Sequence, residues 1–219
     1  MRSNNILVVD LDGTLTNGGE DPLKPHVKES LAYVKNCGWM LILATGRDRK
    51  YLMQRTDLRG MFDAWITEAG LSVYFPNTGI YRCFADDQWV MRAKKLAVLP
   101  FVEEKENTVA FRFEYINVVK TEILRLGINA VFKNNKGVVL LLPEGIDKAF
   151  GVKEALKLLD VDGYLIAIGD SEVDSELFTM ADFKAAVANA EQALKEKADY
   201  VANQENGDGV VEIIKALLS

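Results

Sequence analysis

Four polar clusters in this chain carry the residue types that handling a phosphoryl group requires. The first is Asp10-Leu11-Asp12-Gly13-Thr14-Leu15-Thr16. Its two carboxylates stand two residues apart and are followed by a glycine. Such a stretch turns sharply and aims both acids and several backbone N–H groups into one place. The second, Thr45-Gly46-Arg47, offers a hydroxyl, a flexible backbone and a guanidinium. The third is Lys148, at the predicted start of a helix. The fourth, Gly169-Asp170-Ser171-Glu172-Val173-Asp174, adds two acids four residues apart. Carboxylates gathered without a cation repel one another, and some stay protonated. A Mg²⁺ ion relieves this, because it prefers carboxylate and carbonyl oxygens and keeps several waters. Thr45, Lys148 and the loop N–H groups then supply donors for a phosphoryl group. One carboxylate remains as nucleophile, giving an aspartyl-phosphate that water cleaves. Metal and donors together stabilise charge on the transferring oxygens.

Such clusters need a scaffold that brings them together. Residues 6–9 are an aliphatic run ending at Asp10, as a strand buried on both faces should be. Val27, Leu31 and Val34 recur at helical spacing over residues 25–36, and Cys37-Gly38 closes that helix. Residues 40–44 and 62–67 read as two further strands, with a helix between them ending near residue 55. This β-α-β-α-β alternation predicts an α/β fold with a doubly wound, Rossmann-like parallel sheet. From about residue 71 the strands turn amphipathic and hairpin-like, around Pro76-Asn77-Thr78-Gly79 and Asn134-Asn135-Lys136-Gly137. An α+β domain inserted at 71–146 is therefore expected, with the core at 1–70 and 147–219. Alternation resumes from Asp147, with strands at 164–168, 184–187 and 200–201 and a last helix near 209–218. Ligand sites in open α/β sheets lie beyond the carboxyl ends of strands, where all four clusters should converge.

Composition narrows the classes. A net charge of −6 argues against a nucleic-acid partner but not against a phosphate ligand. Cys37 and Cys83 make neither a disulfide framework nor a metal cluster, and neither has the arginine six positions later that a cysteine phosphatase loop needs. They read as buried or idle thiols suited to a reducing cytoplasm. The lone His26 has no second histidine with which to share acid–base work. The N-terminal apolar run is too short for a signal peptide or a membrane span, so a cytoplasmic protein is expected. Trp39, Trp65 and Trp89 read as packing groups. Taken singly, the motif residues would read as turn, cap and surface groups; it is their company that argues for a site.

Together, DxDGT, TGR, a lone lysine and GDxxxD resemble the haloacid dehalogenase superfamily of phosphohydrolases, in the family's order and over nearly the whole chain. The insertion resembles the α/β cap of its subclass IIB, the Cof-type and sucrose-phosphatase-like group that includes archaeal phosphoglycolate phosphatases. The resemblance implies Asp10 as nucleophile and Asp12 as general acid/base. It implies Mg²⁺ held by Asp10, the backbone carbonyl of Asp12 and Asp170, with Asp174 as a further ligand or a supporting acid. Thr45, Gly46 and Lys148 would bind phosphate, Arg47 would contact substrate or pair on the surface, and Asn189 would sit at the rim. Arg112, Lys133 and Asn134 are cap candidates for reading the substrate. The partner implied is a small phosphorylated metabolite, with no membrane or nucleic acid; a homodimer is one possible assembly. A phosphomannomutase-like transferase and a non-catalytic sugar-phosphate binder are the alternatives. Two positions depart from the usual Cof-type pattern: Val173 stands where GDxxND has Asn, and Ala69 where Glu-Asn-Gly does.

Overall fold

Aliphatic runs without a charge among them form the centre of the molecule. The computed structural model describes residues 4–18 and 21–218; residues 1–3, 19–20 and 219 lie outside it. The chain starts with β1 (Asn4–Val9), α1 (Pro25–Asn36), β2 (Met40–Ala44), α2 (Arg49–Gln54) and β3 (Ala64–Thr67). Next come β4 (Ser72–Phe75), β5 (Ile80–Cys83), α3 (Asp87–Lys94), β6 (Val102–Glu104), β7 (Val109–Arg112), α4 (Ile116–Leu126), β8 (Val131–Asn135) and β9 (Val138–Leu142). It ends with α5 (Lys148–Leu159), β10 (Gly163–Gly169), α6 (Ser175–Phe178), β11 (Phe183–Ala186), α7 (Gln192–Lys195), β12 (Tyr200–Val201) and α8 (Asn206–Leu218).

Two sheets result. The larger has eight strands in the order β12-β11-β10-β1-β2-β3-β4-β5, and the smaller has four in the order β6-β7-β9-β8. From β12 to β3 every pairing is parallel, and Leu7 lies between Leu41 and Ile166 in register. Ile6, Leu7, Val8 and Val9 are all fully buried, so both faces of this sheet are covered, as α/β winding requires. α1 places Val27, Leu31 and Val34 inward, begins at Pro25 where a missing N–H costs nothing, and packs on α8. Fully burying each such side chain contributes about 1.5–3 kcal/mol.

The structure corrects the expected domain boundary. Residues 72–83, assigned to the insertion, form β4 and β5, which extend the large sheet antiparallel from β3. They read as insertion strands because β5 is an edge: its residues alternate between exposed and partly buried, and an edge hairpin carries the same half-exposed signature as an isolated antiparallel layer. The second sheet spans only residues 102–142 and is wholly antiparallel, as a cap layer of the expected kind would be. α3 and β6 were not foreseen. An apolar seam of Leu71, Ala110, Leu140, Leu142 and Ile146 joins the two sheets. Among the described residues no helix is long and apolar enough to cross a membrane.

A largely buried ion pair braces the first loop. Arg55 donates to both oxygens of Asp57, at 2.9 and 2.8 Å, and the Leu23 N–H adds a third bond at 2.9 Å. Burial pushes the Asp57 carboxyl up, but these donors outweigh it and hold it down to about 2. A depressed folded-state pKa gives stability that is present above the unfolded value near pH 4 and lost as pH falls through 2. Urea unfolding of the wild type should therefore weaken over that window, and Asp57→Asn should remove this component of the pH dependence. An identical pH profile in the variant would refute the assignment.

Candidate active site

β1, β2 and β10 end side by side, and the order turns in opposite directions from β1, which opens the crevice where ligands bind in such sheets. Asp10 follows β1 directly and is pinned there by its N–H donating to the Ile168 carbonyl at 3.1 Å. The chain then winds around the Leu11 carbonyl, which accepts from the N–H groups of Thr14, Leu15 and Thr16 at 3.4, 3.0 and 3.0 Å. Gly13 has φ +87°, and a Cβ there would lie 2.3 Å from Asp170 Oδ2. Only glycine lets the first motif approach the fourth so closely. Thr45 follows β2, is buried, and accepts from the Arg47 N–H at 3.1 Å.

Lys148 is brought in by α5. Asp147 caps that helix, accepting from the Phe150 N–H at 2.8 Å, so Lys148 becomes its first residue. α5 can lie this near because residue 151 is glycine: a Cβ there would fall 2.5 Å from Ile66 and 2.7 Å from the Gly70 Cα. The Lys148 ammonium, 2% exposed, donates to Asp10 Oδ1 and Asp174 Oδ1, both at 2.7 Å. Burial opposes its charge, but the two carboxylates prevail and hold its pKa above the lysine range. Asp10 moves the other way: burial, with Asp174 and Asp170 nearby, holds its carboxyl well above the usual range even though Lys148 pulls it down.

Asp10, Asp170 and Asp174 are all buried, with ligand oxygens lying within 4.8 Å of one another. Asp170 Oδ1 accepts from the Thr14 hydroxyl at 2.8 Å, while Oδ2 is held by the Lys136 ammonium. Burial and Asp174 raise the Asp170 pKa, against the pull of Lys136. Asp174 is the most committed of the three: Oδ2 accepts from the N–H groups of Asp170 and Ser171 at 3.0 Å and from the Ser171 hydroxyl at 3.1 Å. A donor set of hard carboxylate oxygens, crowded and short of positive charge, fits Mg²⁺ by its chemistry. Asp12 adds no carboxylate to this trio. It faces Arg47, which donates to it through Nε at 2.8 Å and a terminal nitrogen at 3.0 Å.

A cleft of about 340 Å³ lies over these groups. Its core side is made by Asp10, Asp12, Thr45, Gly46, Arg47 and Lys148, so the structure gathers these predicted residues in one place. Ala69 and Val173, the two departures from the family pattern, also face it. Of the cap candidates Lys133 lines the cleft, and its ammonium pairs with Glu176. Arg112 is exposed and Asn134 accepts from the Gly137 N–H at 3.1 Å within a turn; neither lines the cleft. Asn189, like Asp170 and Asp174, is not among the residues that line the cleft. Its amide donates to the Gly13 carbonyl at 2.7 Å and its oxygen accepts from the Asn206 N–H at 2.7 Å, so it ties the first motif to α8.

Several groups escaped sequence reasoning. Lys105, Asn135, Lys136 and Glu103 face the cleft from the smaller sheet. Glu176 accepts the Lys148 N–H at 3.1 Å while pairing with Lys133, so it links cap and core. Glu68 is fully buried and accepts from the Asn107 N–H at 2.7 Å and its side-chain amide at 2.5 Å, across the same seam. A lysine at a hairpin tip and a glutamate after a strand look solvated in sequence, and no local signal marks them otherwise. His26 pairs with Asp208 at the surface, Trp39 and Trp65 are core packing, and both cysteines are free, with Cys37 exposed rather than buried.

Comparison with known proteins identifies the family. The family described as haloacid dehalogenase-like hydrolase matches residues 7–83 and 78–214. The phosphoglycolate phosphatase 2 of Saccharolobus solfataricus is 31% identical over 231 aligned positions, covering 99% of this chain and 94% of that protein. A crystal structure of Thermoplasma acidophilum protein 0175 superposes with a TM-score of 0.79 at 20% identity, covering 99% of each chain. A sugar phosphatase described as subclass IIB superposes with a TM-score of 0.73 at 18% identity, covering 98% of this chain and 99% of that one, and so shares the fold of both layers. With a family match across nearly its full length, the chain belongs to the haloacid dehalogenase-like hydrolases and is a phosphoric monoester hydrolase.

Proposed function

We propose that this enzyme hydrolyses a small phosphomonoester through a phosphorylated Asp10, with phosphoglycolate the first candidate. One observation carries the reading: a buried carboxylate at the end of β1 is held on one oxygen by Lys148 and opens on a cleft lined by further donors. Lys148 fixes Asp10 through Oδ1, which leaves Oδ2 to attack phosphorus as the ester P–O bond breaks. Asp12 must carry a proton to act as general acid, so one of its two oxygens gives up its bond from Arg47 as substrate binds, and that proton goes to the departing oxygen. Asp12 then takes one from the water that attacks phosphorus, which releases phosphate and restores the Asp10 carboxylate. Thr45, Gly46 and Lys148 surround the phosphoryl oxygens. Asp10 and Asp170 would hold Mg²⁺, with Asp174 beside them, and the ion would supply positive charge to the transferring oxygens.

The size of the cleft supports a small leaving group, since about 340 Å³ is at the lower end for ligand sites. The name of the Saccharolobus relative points to the same ester. The test is phosphate release from phosphoglycolate and a panel of sugar phosphates, with MgCl₂ and with EDTA. Mg²⁺-dependent release, at least about a hundredfold above the chelated sample, is expected, with phosphoglycolate ahead of the panel. Equal rates in EDTA would refute the metal, and preference for a sugar phosphate would refute the substrate. No release from any member would favour a binding protein.

A further inference from the structure

On the reading that Mg²⁺ sits at the acid trio, we propose that Lys136 is a tethered counter-ion of that site, sharing one oxygen of Asp170 with the ion so that each displaces the other. Asp170 has two oxygens and is 1% exposed. Oδ1 is taken by the Thr14 hydroxyl, itself fully buried and fixed in the first motif. Oδ2 is what remains to meet a cation, and the Lys136 ammonium holds it. The two partners differ in freedom. Thr14 cannot leave, whereas the Lys136 side chain is 47% exposed and rides on a flexible stem.

The backbone places this lysine deliberately. Lys136 and Gly137 are the two central residues of the β8–β9 turn, with φ +49° and +87°. That two-residue turn favours Asn, Asp or Gly at its first position. A lysine there accepts an unfavourable conformation and directs its ammonium 34 residues along the chain to the core. Charge makes the exchange reciprocal. Three buried carboxylates face Lys148 and Lys136, one positive charge short of balance. A divalent ion in place of Lys136 closes the deficit, whereas ion and lysine together exceed it. Lys133, on the preceding strand β8, pairs with Glu176 instead, so the hairpin keeps one anchor to the core when Lys136 lets go. Binding of the ion thus frees the hairpin tip, and the released ammonium stays at the cleft that Lys136 lines.

Calorimetric titration with MgCl₂ alone tests this on the wild type, Lys136→Met, Lys136→Gln and Lys133→Met. A partly exposed charge-assisted pair is worth about 1 kcal/mol, so both Lys136 variants should bind Mg²⁺ roughly fivefold more tightly than the wild type. Lys133→Met should stay within about twofold, because its ammonium pairs with Glu176 rather than with an acid of the trio. In the wild type, amide exchange at Lys136 and Gly137 should quicken when Mg²⁺ is added. A purely structural role would weaken or leave unchanged the metal affinity, so equal or weaker binding by folded Lys136→Met and Lys136→Gln overturns the proposal while the metal reading stands. Absence of Mg²⁺ binding in all four proteins overturns the metal reading, and this proposal with it.

Discussion

Asp10→Asn abolishes phosphate release, by at least about a thousandfold, and leaves the protein folded. The substitution keeps the shape of the side chain and a carbonyl oxygen for the Lys148 ammonium at Oδ1, but removes the attacking electron pair. It also removes one of three carboxylates whose oxygens crowd within 4.8 Å of one another, where burial and the neighbouring acids already hold the Asp10 carboxyl above its usual range. Its thermal midpoint without metal should therefore equal or exceed that of the wild type, which separates a chemical loss from a folding defect. Turnover measured with the best substrate of the panel, beside a melting curve, checks both halves. Wild-type-like release from the variant would sink the covalent mechanism.

The second large effect falls on Lys148. Lys148→Met leaves Asp10 and Asp174 buried without the ammonium that bridges them at 2.7 Å to each. Breaking a buried pair on one side costs about 3–5 kcal/mol, because the charge left behind is uncompensated. Metal-free stability should drop by that order, with turnover falling about a hundredfold or more through loss of a fixed donor at the phosphoryl group. Added Mg²⁺ should restore much of the stability, since a cation at the trio relieves the same repulsion, but not the turnover. Lys148→Arg should not rescue turnover, because a planar guanidinium does not reproduce a compact ammonium held 2.7 Å from both Asp10 Oδ1 and Asp174 Oδ1. Unfolding unchanged by the substitution, with and without Mg²⁺, would show that the ion pair is not what balances the acids.

The contrast between these two substitutions follows from burial rather than from chemistry at the cleft. Asp10 is one of several like charges, so losing it relieves strain. Lys148 is the single cation touching two of them, so losing it exposes strain. Both positions are equally hidden, at 3% and 2% exposure, and only the sign of the surrounding charge decides which loss the fold tolerates.

How much of this was legible beforehand depends on the range of the interaction that fixes each residue. Asp10, Thr45 and Asp170 each follow an aliphatic strand directly, and both the end of a strand and its place in a parallel sheet are marked by local composition. Lys148 follows a helix cap, also a local signal. The alternation of strands and helices then brings these ends together, so their convergence could be read without coordinates. The hairpin at residues 72–83 could not be placed, because a half-exposed strand pairs as well with the edge of a large sheet as with a small separate one, and local pattern is the same for both. Asn189 follows a strand like the others, yet its amide is spent on the Gly13 and Asn206 backbone, which no spacing reveals. Lys136 and Glu68 take their meaning from partners 34 and 39 residues away, Asp170 and Asn107. By itself, the sequence determined the fold class and the convergence of the motif residues, since both rest on local strand, turn and cap signals. Tertiary structure alone decided which cap residues close over that centre and how its acids are balanced, because side chains distant along the chain meet only when the two sheets pack.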